Sequence, residues 1–386
     1  MAAVSISPRG EARLRHGHPW IYRSDVDAGG AAGGDVVVVR GRGDRVLGQA
    51  LFSDRSQIAL RMLRRDERPV DDGFWRARLE AALLFRDSLH IDATAFRLVH
   101  GEADLLPSII VDRYGDVLVV QTLSQGSERL LPVLTRLLVD LTGAAGVVER
   151  NDPRVRQLEG LEQRVSVVYG EVPARVLVRQ GSIEYDVDVR AGQKTGLFLD
   201  QRENHVAAAG YARGRLLDAF SYHGGFALAL ASACSSVEAL DVSADAVATI
   251  LSNAVQNRLP HVQAREANVF DELRRLEKAG ARYDTVVLDP PAFAKNKASV
   301  EKALSGYKDI NLRALRLLEP GGTLVTCSCS YHVDDDTFAA VVHAAAADAA
   351  CTVSVVEQRT QGRDHPVLLG VPETKYLKCL ILRKLA

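Results

Sequence analysis

Lysine and cysteine are scarce in this chain of 386 residues, and both are missing from its first half. The first lysine is Lys194 and the first cysteine is Cys234. The chain has five cysteines, and an odd count confined to the second half favours a reduced protein over a disulfide framework. Cys327 and Cys329 stand two apart without a second pair or a histidine at zinc-ligand spacing, so we expect no metal site.

Long apolar runs and a dominant charge are also lacking. No run of about 20 apolar residues could cross a bilayer, and the first residues, MAAVSISPRGEARLR, have no apolar segment of the secretory type. We therefore expect a cytoplasmic protein without a membrane partner. The formal net charge is -1 at pH 7, so the global charge does not indicate a nucleic-acid partner.

Arginine supplies all the basic charge of the first 70 residues apart from histidine. A GC-rich genome that encodes Arg in place of Lys is the simplest explanation. The segment is nevertheless net positive, and guanidinium groups bind phosphates in bidentate fashion. The arginines are Arg9, Arg13, Arg15, Arg23, Arg40, Arg42, Arg45, Arg55, Arg61, Arg64, Arg65 and Arg68.

Periodicity divides the chain into three predicted domains. Residues 1–72 consist of short β-rich runs broken by Gly and Asp and predict a small β-rich domain. Residues 73–187 combine helical stretches with strands, including a hairpin around Gln180 and Gly181, and predict an α+β middle domain.

In residues 188–386 strands and helices alternate. LLDAF, VEALDV, YDTVVLDPP and GTLVTCSCS are apolar runs of strand length, and SADAVATILSNAVQNRL is helical with Ser243 as its N-cap. This alternation predicts a Rossmann-like α/β domain with a parallel sheet covered on both faces. Ligands of such sheets bind beyond the carboxyl ends of the strands.

Two strand ends have the composition of a nucleoside site. Asp218 ends the first strand and is followed by a turn with Gly224 and Gly225, where the backbone can approach a ligand closely. The turn is not GxGxxG, which disfavours a nicotinamide dinucleotide enzyme. Asp241 ends the next strand, where a carboxylate can accept both hydroxyls of a ribose. An ordinary β-turn-α unit and a helix-capping Asp are the structural alternatives.

The remaining strand ends favour chemistry on a flat base. Asn268 and Val269 follow the third strand, where an adenine would lie. A buried strand that ends in Asp289, Pro290 and Pro291, with Phe293 after it, suits a base held by stacking and by hydrogen bonds to its edge. Strand alternation puts Cys327 and Cys329 on one face, and either a nucleophile or a pair of core cysteines fits this pattern.

Several motifs together resemble a known family. GHPWIYRSDV resembles a PUA RNA-binding module. GQKTGLFLDQRENH, LDAFSYHGGF, VVLDPPAFAK and CSCSYH, in this order, resemble the RlmI family of large-subunit ribosomal RNA cytosine-C5 methyltransferases. The resemblance covers nearly the whole chain. It implies a PUA-like domain, a middle domain and a class I methyltransferase domain that uses S-adenosylmethionine (SAM) to form 5-methylcytosine in 23S rRNA.

The resemblance also implies residue roles. Cys329 would be the nucleophile and Asp289 would touch the cytosine edge. Asn268 departs from the family, which usually has Asp there, but its carbonyl could still accept from the adenine amine; His223 stands where the family usually has Thr. The implied cofactor-binding residues are Arg202, Asp218, Phe220, Tyr222, Gly224, Gly225, Asp241, Asn268, Val269 and Asp289. The implied substrate-binding residues are Gln193, Lys194, Pro290, Pro291 and Phe293.

The implied chemistry is covalent, and rival readings stay open. A Cys329 thiolate would add to C6 of cytosine, Asp289 would hydrogen-bond or protonate N3, and Cys327 or a water would remove the C5 proton. The alternatives are methylation of an exocyclic amine or ring nitrogen of a purine, which needs no cysteine, and a non-catalytic RNA-binding assembly factor. A homodimer is compatible with the sequence.

Overall fold

A computed structural model describes residues 2–192, 195–294 and 296–385. Gln193 and Lys194, two of the predicted substrate-binding residues, lie outside the described residues. The chain divides into two compact units, one of Met1–Val178, Val187–Leu197 and Arg363–Thr374, the other of Arg179–Asp186, Phe198–Gly362 and Lys375–Ala386. This division differs from the predicted domain boundaries after residues 72 and 187, which stay a prediction.

The first unit begins with a six-stranded sheet in the order β2-β6-β5-β4-β1-β3. Its inward side chains, among them Ile21, Val37 and Leu60, are fully buried and form a separate small core. The strands are β1 Ala3–Ile6, β2 Trp20–Tyr22, β3 Val26–Asp27, β4 Val36–Arg40, β5 Val46–Phe52 and β6 Ile58–Arg64.

One helix of this region was not expected. Residues 8–15, which the sequence analysis leaves in a β-rich segment, form helix α1 Pro8–Arg15. Ser7 caps it by accepting from the Gly10 amide at 3.2 Å, and proline fits the first helical position because its missing N–H has no partner to lose. The helix is too short for the apolar periodicity to reveal it.

A five-stranded sheet in the order β11-β10-β9-β8-β7 follows in the first unit. Helices α2 and α3 bury Trp75, Leu79, Leu134 and Leu138 in one core with this sheet. The elements are α2 Asp72–Ser88, β7 Ala95–His100, β8 Ile109–Tyr114, β9 Val117–Thr122, α3 Gln125–Thr142, β10 Gly146–Asn151, α4 Val155–Leu158 and β11 Arg164–Gly170. The predicted hairpin is present as β12 Val176–Gln180 and β13 Ile183–Val187.

The second unit is built on a seven-stranded sheet in the order β16-β15-β14-β17-β18-β20-β19. The five strands on one side are parallel and form the predicted Rossmann-like core. The sheet is not wholly parallel, however, because β20 runs antiparallel to both β18 and β19. The strands are β14 Gly214–Ala219, β15 Cys234–Asp241, β16 Val262–Glu266, β17 Tyr283–Leu288, β18 Leu318–Ser328, β19 Val353–Arg359 and β20 Lys378–Lys384.

Helices connect the parallel strands. On one face α8, α9 and α10 bury a large apolar core against β14, β17 and β18, with Leu217, Val286 and Tyr307 fully enclosed. Ser243 caps α7 as predicted, accepting from the Ala246 amide at 3.3 Å. The helices are α5 Arg202–Ala209, α6 Gly225–Ala231, α7 Ala244–Gln256, α8 Val269–Lys278, α9 Val300–Leu317 and α10 Asp335–Asp348.

The strand order creates a switch point at β14. This strand pairs with β15 on one side and β17 on the other, so the chain leaves adjacent strand ends in opposite directions and a crevice forms there. Asp218, Asp241 and Asp289 stand at or next to these three strand ends. No described helix combines the length and apolar character needed to span a bilayer.

Candidate active site

Asp218 lies at the switch point and is 1% exposed. Its Oδ2 accepts from the Ala227 amide in the first turn of α6 at 2.9 Å. Its Oδ1 is buried without a hydrogen-bond partner among the described residues. The pKa of this carboxyl is raised to about 8, mainly by burial; hydrogen bonding to Ser221 and to the Ala227 amide acts to lower it, and the charges of Asp289 and Asp241 act to raise it. Asp218 Oδ1 is therefore a buried acceptor that suits a ligand.

The turn between β14 and α6 has a strained backbone. Phe220 and Tyr222 adopt positive φ angles of 67° and 49°, where side-chain-bearing residues are uncommon. Gly224 follows with φ 80° at the N-cap of α6. Such strain persists where the surroundings impose it, as in ligand-binding turns.

Gly225 has His205 as a close neighbour. A Cβ there would lie 2.6 Å from Cε1 of His205, so the imidazole occupies the space that the missing side chain leaves. The ring packs edge-on against Phe226 at 4.5 Å, and burial lowers the pKa of His205 to about 3. Glycine is needed here for the packing of a neutral histidine behind the turn.

Asp241 uses both carboxylate oxygens to shape the site. Oδ2 accepts from the Tyr222 amide and Oδ1 from the Ser243 amide, each at 2.9 Å. The carboxylate thus ties the strained turn to β15. Each oxygen retains a second lone pair, so these bonds leave room for the predicted ribose hydroxyls.

Asn268 is the N-cap of α8, a role that the sequence did not indicate. Its Oδ1 caps α8 by accepting from Phe270 at 3.0 Å and from Asp271 at 3.4 Å. The expected acceptor for an adenine amine is therefore engaged by the helix. The exposed Nδ2 group, a donor, is the part of the side chain that this capping leaves for a base.

Asp289 follows β17 and is held by Gln201, a residue that the motifs did not indicate. Gln201 donates from Nε2 to Asp289 Oδ1 at 2.9 Å, and its own Oε1 accepts from Asn204 at 2.6 Å. Gln201 directly precedes Arg202, which opens α5 and is 6% exposed. The polar run DQREN before an apolar helix was the available signal.

Phe293 stands in an aromatic cluster rather than alone at the rim. Its ring centroid lies 4.7 Å from that of Tyr307 and 5.8 Å from that of Phe270, with Phe220 at 6.4 Å. The cluster carries the Asp289-Pro290-Pro291 turn on a rigid apolar base. Part of the ring surface predicted to stack on a nucleobase is thus already covered.

The two cysteines of the CSCS motif have different surroundings. Cys327 is fully buried and faces Cys379 across the antiparallel β18–β20 pair; burial raises the pKa of its thiol well above the ordinary value, and Cys379 and Asp289 raise it further. Cys329, just past the end of β18, is half-buried, with Sγ 3.8 Å from the Pro290 carbonyl. Only Cys329 combines access with proximity to the Asp-Pro-Pro turn.

Tyr307 on α9 fixes the serines on both sides of Cys329. Ser328 Oγ and Ser330 Oγ each lie 2.9 Å from the Tyr307 hydroxyl, and Ser330 Oγ also accepts from the Ala294 amide at 3.1 Å. The hydroxyl network therefore fixes the chain on both sides of Cys329.

Lys378 at the start of β20 is a further group that the sequence did not reveal. Its Nζ donates to the Ser330 carbonyl at 2.7 Å and to the Tyr376 carbonyl at 2.9 Å. Burial lowers the pKa of Lys378 to about 8, while Asp335, Cys329 and Asp334 act to raise it and Lys375 to lower it. The ammonium thus lies within electrostatic reach of the Cys329 sulfur.

Comparison with family models agrees with this architecture. Residues 4–65 match a model of PUA-like domains. Residues 96–383 match the model of S-adenosylmethionine-dependent methyltransferases. The chain belongs to this methyltransferase family. The predicted fold class and the predicted SAM cofactor are confirmed.

Curated relatives of this methyltransferase match it over its full length. Ribosomal RNA large subunit methyltransferase I of Shewanella frigidimarina is 40% identical, with 98% of each chain covered. The protein of the same name from Vibrio cholerae El Tor is 39% identical, with 97% of this chain and 98% of the relative covered. The predicted family resemblance is confirmed.

Solved structures share the fold of the methyltransferase. SMU.776 complexed with SAH has a TM-score of 0.85 at 20% identity, with 99% of this chain and 100% of that chain covered. Trm5b from Pyrococcus abyssi has a TM-score of 0.53 at 14% identity, with 72% and 75% covered. At these identities the likeness concerns the fold alone.

Asp218 predicts a pH dependence of stability. Between its ordinary pKa of 3.8 and the raised value of about 8, the folded protein keeps a proton that the unfolded chain releases, so ligand-free stability falls as pH rises through this window. Asp218→Asn cannot ionise and should gain thermal midpoint relative to wild type more at about pH 8 than at about pH 5. Asp245→Asn, at an exposed position on α7, is the control. A gain of equal size at both pH values would contradict the assignment.

The charge of Lys378 is expected to raise the reactivity of the Cys329 thiol. Lys378→Met should slow iodoacetamide alkylation of Cys329 because a neighbouring ammonium favours the thiolate. The difference from wild type should shrink above about pH 8, where Lys378 itself loses its proton. Lys384→Met is a matched control, since Lys384 lies on the same strand and also donates to two carbonyls. Site-resolved mass spectrometry measures the rates, and equal slowing by both variants would rule out a local charge effect.

Proposed function

We propose that this methyltransferase transfers a methyl group from SAM to C5 of a cytosine in 23S ribosomal RNA through a covalent Cys329 adduct. The observation that carries the proposal is the position of Cys329, half-buried beside the Pro290 carbonyl, while Cys327 is sealed in the core. The name of the relatives, ribosomal RNA large subunit methyltransferase I, supports the substrate class.

The residues around the switch point fit SAM. The unpaired Oδ1 of Asp218 is a buried acceptor, and the sulfonium and ammonium of SAM are cations that would favour its ionised form. Asp241 would hold the ribose, the Nδ2 group of Asn268 the adenine, and Arg202 the carboxylate. Phe220, Tyr222, Gly224, Gly225 and Val269 would line the site. SAM, when bound, supplies an electrophilic methyl group.

Cys329 supplies the nucleophile in this proposal. Its thiolate forms a bond to C6 of the cytosine, and the displaced electron pair makes C5 electron-rich enough to accept a methyl group. Lys378 stabilises the thiolate before attack. Once C5 is methylated, the C5 proton is removed and its bonding electrons re-form the C5–C6 double bond. The bond from sulfur to C6 then breaks, and its electrons return to the Cys329 thiolate.

Asp289 acts on the ring edge. In its protonated form it donates to N3 and offsets the charge that develops there when sulfur adds. Gln201 Nε2 donates to Asp289 Oδ1 and would hold the carboxyl in position. The raised pKa and complete burial of Cys327 disfavour it as the base that removes the C5 proton, so a water molecule is the better candidate.

RNA recognition is assigned to the N-terminal region. Residues 4–65 match the PUA-like model and make up most of the arginine-rich segment, whose guanidinium groups suit phosphate contacts. Gln193, Lys194, Pro290, Pro291 and Phe293 would contact the target nucleotide. The substrate class supports the cytoplasm as the place of action.

SAM binding should depend on Asp241. Saturating SAM at about 100 times Kd should stabilise the protein by about 2.7 kcal/mol, seen as a higher thermal midpoint. Asp241→Ala should weaken SAM binding in calorimetry because it loses the predicted ribose acceptor and releases the Tyr222 amide. Asp245→Ala, four residues away and exposed, should bind as the wild type does. Equal affinity in all three proteins would remove Asp241 from the cofactor site.

The covalent adduct can be trapped with RNA that contains 5-fluorocytosine. Fluorine at C5 cannot leave as a proton, so the enzyme stays bound to the RNA through sulfur. Wild type and Cys327→Ala should give a denaturant-resistant complex, and Cys329→Ala should give none and lose turnover.

Two other results would redirect the assignment. An adduct that maps to Cys327 would leave the chemistry intact but reverse the choice of cysteine. Full methylation without any adduct by the variant that carries both Cys327→Ala and Cys329→Ala would favour methylation of a purine amine or ring nitrogen. That reaction proceeds by direct attack of nitrogen.

A further inference from the structure

The first unit contains a cleft of about 730 Å3 remote in sequence from the methyltransferase motifs. One wall is the end of β6 and the loop after it, with Arg64, Arg65 and Arg68. The other is the first turns of α2, with Phe74 and Arg78. Four arginines and two aspartates, Asp66 and Asp71, are the charged residues among the described lining, so the cleft has a formal excess of two positive charges.

The existing contacts do not neutralise this charge. Arg64 and Arg68 share a single carboxylate, that of Asp66. The hydrogen bonds described for Arg65 and Arg78 go to the uncharged carbonyls of Leu14 at 2.7 Å and Leu63 at 3.3 Å. Burial lowers the pKa of Arg78, and the nearby charge of Arg64 lowers it further. An anion in the cleft would relieve this repulsion.

The cleft also has an apolar part with an aromatic ring. The guanidinium carbons of Arg64 and Arg78 lie 5.5 and 5.3 Å from the centroid of the half-buried Phe74 ring. Pro19, Met62 and Leu105 continue the apolar wall, and Leu105 is 45% exposed. Phosphate-binding cations beside a flat apolar surface match the chemistry of an unstacked nucleotide.

The geometry points to this cleft as a binding site for single-stranded RNA, with one unstacked base against Phe74 and the adjoining phosphates on Arg65 and Arg68. The identity of the ligand rests on the proposed function, since the substrate proposed there is RNA. The site extends beyond the arginine-rich segment of residues 1–70, because Phe74 and Arg78 belong to α2. It would hold the RNA strand outside the methyl-transfer site.

The test measures binding of a short fluorescein-labelled single-stranded RNA to the full chain by anisotropy, between about 50 and 200 mM salt. Arg65→Ala/Arg68→Ala should weaken binding about tenfold. Log affinity falls as log salt rises, and this fall should become shallower by about 1.4 slope units, the value for two lost phosphate contacts. The matched control is Arg76→Ala/Arg282→Ala, which removes the same charge at exposed or half-exposed sites outside the lining. Equal losses in both double variants would overturn the site in favour of unspecific attraction.

A second variant tests the base. Phe74→Leu keeps an apolar side chain but removes the flat ring, and should weaken RNA binding about five- to tenfold without changing the salt slope. Polyphosphate has charge but no bases. It should displace the labelled RNA from this variant as well as unlabelled RNA does, and displace it poorly from wild type. Unchanged affinity of Phe74→Leu would limit the cleft to anion binding and overturn the proposal for a base.

Methylation assays separate this proposal from the proposed function. If wild type methylates 23S rRNA and Arg65→Ala/Arg68→Ala does so with an unchanged KM, the cleft is not an RNA site although the function holds. If no preparation methylates rRNA but the RNA-binding losses appear as expected, the cleft stands and the function fails.

Discussion

A carboxylate held away from water at the end of β14 is the constraint on which the candidate site depends. Asp218 sits where the strand order reverses, the position at which ligands of such sheets bind. One oxygen anchors the start of α6 and the other has no partner among the described residues. Burying such a group is unfavourable unless a cation or donor satisfies it. Two neighbouring side chains hold the backbone near Asp218 in place. Asp241 accepts from the amide of Tyr222 in the strained turn, and His205 packs behind Gly225.

The surroundings of Cys329 depend on a hydroxyl network rather than on a carboxylate. Tyr307 joins Ser328 and Ser330, so the chain on both sides of Cys329 is fixed to α9. β20 gives the two cysteines different surroundings, because its antiparallel pairing sets Cys379 against Cys327 and brings Lys378 to the carbonyl of Ser330. The proposed cofactor-binding residues and the proposed nucleophile thus lie at strand ends of one sheet.

Prediction succeeded where the signal was local. The β-α alternation, the Ser243 cap and the hairpin around Gln180 all follow from short windows, and each is present. Helix α1 was missed because eight residues give too little periodicity, and the antiparallel β19–β20 ending was missed because strand direction depends on the pairing partner. At the site, the strand-end aspartates lie on one rim as their positions implied. Gln201, Tyr307 and Lys378 were not found, since each acts through a residue far away in the chain.

The sequence by itself determined the class of fold, the order of the polar residues along the strand ends and the family to which they belong. These features are read from period, turn chemistry and motif order, which neighbouring residues encode. Only the tertiary structure decided that Cys327 is buried while Cys329 is accessible, that Asn268 spends its oxygen on a helix cap, and that Gly225 makes room for a histidine. The reason is physical: accessibility, protonation and hydrogen-bond capacity depend on which groups fold against a side chain, and those groups come from distant parts of the chain.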